Sequence, residues 1–428
     1  MTAGPATAAG AAGAAASADR HGASTDLLRQ VADGQDDVVA LRRTLHTWPE
    51  VGNVLPKTRD HVLAALEGLP LDLTLHSTTS GIAALLTGDR PGPTVMLRGD
   101  MDALPMPEDT GLDFASRHDR VMHACGHDTH TAMLVGAARV LAERRGELAG
   151  RVLFMFQPGE EGHHGARYML EEGLLDVPPL ADGTPSPIEA AYALHITSTI
   201  PSGMVAARGG AQMASSDTMQ IVVTGKGGHA SEPFRTRDPI PVACEIVQAL
   251  QMHVTRRIDV FDPTVVTVTQ IHTGTTSNVI PETATIGGTI RAVSEQTRTR
   301  VHDGIRRIAE GIAATHDMTA EVTVTLGYPV TVNHGANVDL ALDIATGLLG
   351  DGKAVAMPHP IMGAEDFSYV LQQRPGAMIF LGGTPAGTNP ATAAPNHSNR
   401  VVFEEDAMRH GTALYAALAM RTLGTRLS

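Results

Sequence analysis

Nine residues of this chain, "MHACGHDTH" at 122–130, hold three histidines (His123, His127, His130), one of only two cysteines (Cys125) and an aspartate (Asp128). Thiolate, imidazole and carboxylate are the usual ligands of a borderline transition metal. Downstream, "FQPGEEGHHGAR" sets Glu160 beside Glu161, and "ALH" ends on His195. A single catalytic zinc takes three protein ligands and a water. Cys125, His127, Glu160, Glu161 and His195 exceed that, with Asp100 and Asp102 as further carboxylates. The surplus points to two metals with a bridging ligand, as in two-metal hydrolases. Cys125 and His127 are two apart, so on an extended loop both face one way. Adjacent Glu160 and Glu161 cannot do the same job. One binds metal while its neighbour faces the water to be activated, as general base. Purely structural zinc sites show paired Cys-x2-Cys spacing, which is absent here. His123, His130, His163 and His164 are read as structural.

The elements that must position these groups form an alternating pattern. "GPTVMLRGD", "RVLFMFQPGEE" and "EAAYALH" predict buried strands over 93–98, 151–156 and 189–194, the last ending at His195. "THTAMLVGAARVLAERRGEL" repeats its apolar residues at helical spacing. One or two helices span 26–48 and stop at Pro49. Strands alternating with helices predict a largely parallel α/β sheet. In such sheets ligands bind outside the carboxyl ends of the strands, where all these polar groups fall.

The character changes after residue 212. Strand, helix, two strands, helix and strand follow in order over 213–328, which is the ferredoxin-like plan. This stretch reads as a domain inserted into the first, which occupies 25–212 and 329–428. Residues 1–24, rich in alanine, read as a disordered tail and lack the features of a signal peptide. The formal net charge of -14 argues against a nucleic-acid partner. No apolar run approaches bilayer length, so no membrane is expected. Two cysteines make no disulfide framework, which favours a reducing, cytoplasmic setting. "GLLGDGKA" at 347–354 lacks the final Ser or Thr of a P-loop, and no G-x-S-x-G occurs to suggest a serine hydrolase.

Taken in order, "RGDMDALP", "MHACGHDTH", "FQPGEEGHHGAR", "ALH", "GKGGHAS", "SNVIP" and "GTIRA" resemble the M20 metallopeptidase superfamily. The likeness is to its aminoacylase and amidohydrolase branch, with hippurate hydrolases and hydrolases of indoleacetyl-amino-acid conjugates, and covers roughly residues 26–420. It implies an α/β catalytic domain with two divalent metals (Zn, Mn, Co or Ni), and an inserted lid that commonly dimerises. Carried over, the metal ligands are Cys125, His127, Glu161, His195 and, from "APNHSNRVVF", His397, with Cys125 bridging. Glu160 becomes the general base, then the acid for the leaving amine. His229 in "GGHAS" resembles the oxyanion stabiliser; Asn278, Arg291 and Gly363 resemble substrate-binding groups. An Arg fork suits a carboxylate. One departure stands in "PEVGNVLPKT": the family often has Glu before the Thr, and here Lys57 precedes Thr58. The expectation is a hydrolase of N-acyl-L-amino acids that works as a homodimer. The rivals are a dipeptidase or carboxypeptidase with the same machinery, and a non-catalytic metal-binding scaffold.

Overall fold

The computed structural model describes residues 26–425, so the expected disordered tail lies outside the described residues. Residues 26–33 are helical and lead into α1 (Gln35–Thr47) and, past Pro49, α2 (Pro56–Leu66). At the start of α2, where Lys57 stands, Glu50 braces the first turn. Its carboxylate accepts the amides of Lys57 (3.3 Å) and Thr58 (2.8 Å) and the Thr58 hydroxyl (2.9 Å).

The chain divides into two units. Among the described residues, the first comprises 26–210, Asn333–Pro358 and 369–425. Its strands are β1 (Leu71–Leu75), β2 (Ile82–Thr87), β3 (Arg90–Asp100), β4 (Ala149–Gln157), β5 (Ile188–Pro201), β6 (Val205–Ala207), β7 (Ala354–Ala356) and β8 (Gly376–Thr384). They form one sheet in the order β1-β2-β4-β3-β5-β8-β6-β7. Its centre, β4-β3-β5-β8, is parallel, while β1, β2 and β6 add antiparallel pairs. The central strands are buried end to end, as in Leu153–Gln157 and Ala377–Leu381, because helices cover the sheet. Those helices are α3 (His127–Glu143), α4 (Gly165–Glu171), α5 (Gly335–Leu349) and α6 (Ala407–Thr422). Helix α3 is buried along nearly its whole length, with α1 and α6 packed against it.

One strand runs past its expected end. β5 continues through His195 to Pro201, with His195 in register with Phe380 of β8. The reason is legible afterwards: Ile196 and Ser198 turn inward while Thr197 and Thr199 turn outward, a strand alternation beyond the histidine.

The second unit comprises Ala211–Val332 and the short segment His359–Ser368. Strands Asp217–Thr224, Thr264–Thr273, Thr283–Ala292 and Thr319–Leu326 alternate with helices Pro239–Arg257 and Glu295–Thr315 in the order β-α-β-β-α-β. The sheet is antiparallel, with 283–292 and 217–224 central and 264–273 and 319–326 at the edges. One face carries Ile221, Val223, Ile286 and Ile290 against Val242, Ile246, Val301 and Ile305 of the helices. Asp238 caps the first helix through the Ile240 amide (3.0 Å) and Ser294 the second through the Thr297 amide (3.1 Å).

Candidate metal centre

Four segments of the first unit bring the metal-binding side chains together. The 122–126 loop presents Cys125 and turns into α3, whose first residue is His127. That turn needs Gly126, at φ 90°, where an added Cβ would stand 2.4 Å from Ile196 Cγ2. Glu160 and Glu161 follow β4, His195 lies within β5, and His397 sits on the loop before α6. His397 adopts the left-handed conformation at φ 68°, uncommon for a residue with a side chain.

Cys125 Sγ is the common neighbour. It lies 3.3 Å from His195 Nε2 and 3.3 Å from His397 Nε2. His397 Nε2 is in turn 3.1 Å from Glu161 Oε1. Donor atoms of Cys125, His127 and His195 lie within 4.8 Å of one another, and so do those of Cys125, Glu161 and His397. These two groups meet at the thiol. His127, Glu160 and Glu161 form a third group on the same scale, with Glu160 Oε2 4.0 Å from His127 Nε2.

The hydrogen bonds say which nitrogens are free. His195 Nδ1 donates to the Ile196 carbonyl (2.8 Å), which leaves the Nε2 lone pair facing Cys125. His130 has none to spare: Nε2 accepts the Ile196 amide (2.7 Å) and Nδ1 donates to Asp100 (2.6 Å). His130 is therefore a strut, although its distances alone would group it with Asp100 and His127. His127 is fully buried and neither ring nitrogen has a hydrogen-bond partner, the nearest carboxylates being Asp100 at 3.5 Å from Nε2 and Asp102 at 3.4 Å from Nδ1. Buried polar atoms without partners are costly. A divalent cation among thiolate, imidazoles and carboxylate satisfies them, so the residues present fit two metals. Asp102, expected only as a further carboxylate near the site, accepts the amides of Glu160 (2.9 Å) and Glu161 (3.0 Å) and lies 3.4 Å from His127 Nδ1.

The electrostatics follow from burial and charge. Burial, with Glu161 adding repulsion, pushes the Cys125 thiol up, a direction a bound cation reverses. Hydrogen bonds to Cys125 and Glu161 push His397 up to about 10. Burial drives His195 well down, with repulsion from His130 adding to it, which keeps its lone pair available. Burial opposes ionisation of Asp100, yet Arg98, His127 and His130 hold it well below the usual carboxylate range. Arg98 is itself buried and donates to Asp100 (2.6 Å) and Gln157 (2.8 Å), locking the ends of β3 and β4.

The start of α3 is braced by a second buried network. Asp128 Oδ2 accepts from Arg42 Nε (2.7 Å) and His46 Nδ1 (2.8 Å), and Arg42 reaches on to Glu405 (3.1 Å). Asp128 lies in the first turn of α3, where the helix dipole favours a negative charge. His123 stands apart from the donor groups, and burial lowers it to about 4. His163 engages Asn53 through its carbonyl (2.9 Å), and His164 Nδ1 lies 3.0 Å from the Tyr369 hydroxyl.

The remaining expected residues belong to the second unit. His229 Nδ1 accepts the Ser231 amide (3.2 Å) with the Ser231 hydroxyl 2.7 Å away, so the proton sits on Nε2 of the exposed ring. Asn278 is brought beside it: the Asn278 carbonyl accepts the Ala230 amide (3.0 Å), and Val279 pairs with His229. Arg291 is half-buried on strand 283–292, and that burial lowers its pKa. Gly363 accepts the Ala214 amide (2.9 Å) through its carbonyl.

Comparison with known proteins gives a consistent answer. The model of peptidase family M20/M25/M40 matches residues 96–421. Thermostable carboxypeptidase 1 of Saccharolobus solfataricus is 36% identical over 92% of this chain and 98% of its own. N-acetylcysteine deacetylase of Bacillus subtilis is 35% identical over 91% and 97%. The crystal structure of the Bacillus subtilis YXEP protein, a dinuclear metal-binding peptidase from the M20 family, superposes with a TM-score of 0.79 at 32% identity, covering 92% and 99%.

Proposed function

Because this chain belongs to peptidase family M20/M25/M40, we propose that it hydrolyses the amide bond of N-acyl-L-amino acids, releasing a carboxylic acid and a free amino acid. It is a metallo-amidohydrolase. The observation that carries the hydrolytic reading is Glu160, a buried carboxylate within 4.0 Å of a histidine whose ring nitrogens have no hydrogen-bond partner, and the acyl-amino-acid substrate is supported by the likeness to an N-acetylcysteine deacetylase. Cys125, His127 and His195 would hold one divalent ion, and Cys125, Glu161 and His397 a second, with the thiolate shared. The thiolate favours zinc, cobalt or nickel, and metal availability can load manganese instead. When bound, the ions supply Lewis acidity to the amide carbonyl and lower the pKa of water.

Glu160 takes the proton of the attacking water and then passes it to the leaving amine. Asp102 holds the Glu160 and Glu161 backbone so that the two neighbouring carboxylates diverge in role. His229, protonated on Nε2, donates to the oxyanion. Arg291, with Asn278 and Gly363, takes the amino-acid end of the substrate, the guanidinium pairing with its carboxylate. Residues 213–328 act as a lid that completes the site on closing and excludes water. The same segment pairs two chains into a homodimer, and the protein works in the cytoplasm.

A second reading has one observation behind it, the 36% identity to a carboxypeptidase. A panel of N-acetyl and N-benzoyl amino acids, run beside dipeptides, separates the two. The proposal expects cleavage of the acyl amino acids. It also expects Glu160→Ala to bind metal and lose about 10²–10⁴-fold in kcat. Cleavage of dipeptides alone overturns the substrate reading. Equal activity in Glu160→Ala removes Glu160 as base.

A further inference from the structure

We propose that Asn396 is the positioning residue of the metal centre, a single carboxamide that sets the registry of the Cys125, His195 and His397 segments. The proposal rests on the ligand set given above. Asn396 Nδ2 donates to the Cys125 carbonyl (3.1 Å) and to the Ile196 carbonyl (2.9 Å), and Oδ1 accepts the Ser198 amide (3.2 Å). The orientation of the amide is set by these partners. Two carbonyls require the NH2 and one N–H requires the oxygen, so a flipped amide would oppose like with like at all three.

Two of the three bonds end at or next to a ligand. The first is on Cys125 itself. The second lands on the carbonyl that also receives His195 Nδ1–H, the bond that presents His195 Nε2 to the thiol. Asn396 thus helps to fix the acceptor that selects the His195 tautomer. The third comes from the stretch of β5 just beyond His195. The residue supplying the carboxamide directly precedes His397 in the chain.

The three segments do not depend on Asn396 equally. His195 is held within a paired strand, and the Cys125 segment turns directly into α3. His397 has neither support. It lies outside helix and strand, its side chain is half exposed, and its backbone is left-handed. Its amide donates to the Ala124 carbonyl (2.9 Å) and the adjacent Asn396 side chain anchors it, while the flanking loop is tied at Ala394 to the Ser198 hydroxyl (2.7 Å) and at Asn399 to the Asp109 amide (2.7 Å). A strained backbone persists only where the surroundings over-determine it. Losing the carboxamide should therefore loosen the group made by Cys125, Glu161 and His397 more than the group made by Cys125, His127 and His195.

The test uses full-length protein stripped of metal and titrated with cobalt or zinc alone against a competing chelator. Wild type should take up two ions, and His397→Ala one; failure there sinks the ligand set and not Asn396. Given that baseline, Asn396→Ala should weaken one ion about 10–100-fold and leave the other within a few-fold. The thiolate-to-cobalt absorption of the second equivalent should be altered, and the metal-free unfolding midpoint should move little. Asn396→Asp keeps the shape and the acceptor but removes both donors. It should show the same asymmetric loss, and it carries the test if the alanine variant does not fold. Two ions bound with wild-type affinity in both variants would overturn the proposal. Equal weakening of both ions with a matching fall in the metal-free midpoint would overturn it too, and make Asn396 a general fold residue.

Discussion

His130 and His195 have ring centroids 4.9 Å apart, yet their hydrogen bonds assign them opposite work. His130 spends both nitrogens on Asp100 and the Ile196 amide; His195 spends one and points the other at Cys125. His130→Ala should therefore destabilise the fold by about 1–3 kcal/mol, the cost of unpaired buried groups, while metal stoichiometry stays at the wild-type value. Metal analysis of the purified variant checks this, and a lost ion would make His130 a ligand after all. Asp102 belongs to the same scale. Its two oxygens each accept one amide of the Glu160–Glu161 pair, so Asp102→Asn turns a donor toward one of those N–H groups. Metal affinity should fall about 10–100-fold by chelator competition. Unchanged affinity would leave Asp102 a bystander.

At the scale of elements, the site depends on how helices and strands begin. Helix α3 starts at His127 only because Gly126 occupies a left-handed turn against Ile196. Gly126→Ala should cost about 1–3 kcal/mol, read from urea unfolding of the metal-free protein, and should weaken metal uptake as well. In the second unit, helix 295–315 is tied to strand 217–224 through Asp217. That carboxylate accepts two bonds from Arg298 (2.9 and 2.6 Å), one from the Gly327 amide (3.0 Å), and lies 2.8 Å from His302 Nε2. Burial alone would raise its pKa, but Arg298 and His302 hold it at about 2 against an ordinary 3.8. A depressed carboxylate stabilises the fold above its unfolded pKa and loses that contribution as pH falls. Asp217 should thus contribute about 2 kcal/mol at neutral pH, lost between about pH 4 and pH 2. Asp217→Asn should be less stable at neutral pH and show a flatter acid limb. Parallel acid limbs for variant and wild type would contradict this.

For the whole molecule, metal and fold are linked. Ions that bind only the folded chain stabilise it by mass action, by about 4 kcal/mol at a thousand times Kd. A chelator should lower Tm, and added divalent metal should restore it with a concentration dependence; a Tm indifferent to both would contradict the two-metal reading. The proposed homodimer has its own check, sedimentation equilibrium at twice the chain mass, with a monomer as the contrary result. No helix among the described residues is long and apolar enough to cross a membrane.

The sequence by itself carried the donor set, because ligand chemistry is a matter of residue type and spacing, and Cys125, His127, Glu160, Glu161 and His195 announce themselves in short motifs. It carried the α/β pattern for the same kind of reason, since strand and helix periods are local. His397 is reached only through the family resemblance, being 202 residues from the nearest other proposed ligand, His195, in an unpatterned loop. The course of β5 past His195 depends on pairing with β8, where His195 meets Phe380, 185 residues on. The roles of His130, Asp102 and Asn396 belong to the tertiary structure alone. A histidine becomes a strut or a ligand according to which of its nitrogens is already taken. An asparagine becomes an anchor only when three distant backbones arrive at its carboxamide, and no local pattern records that arrival.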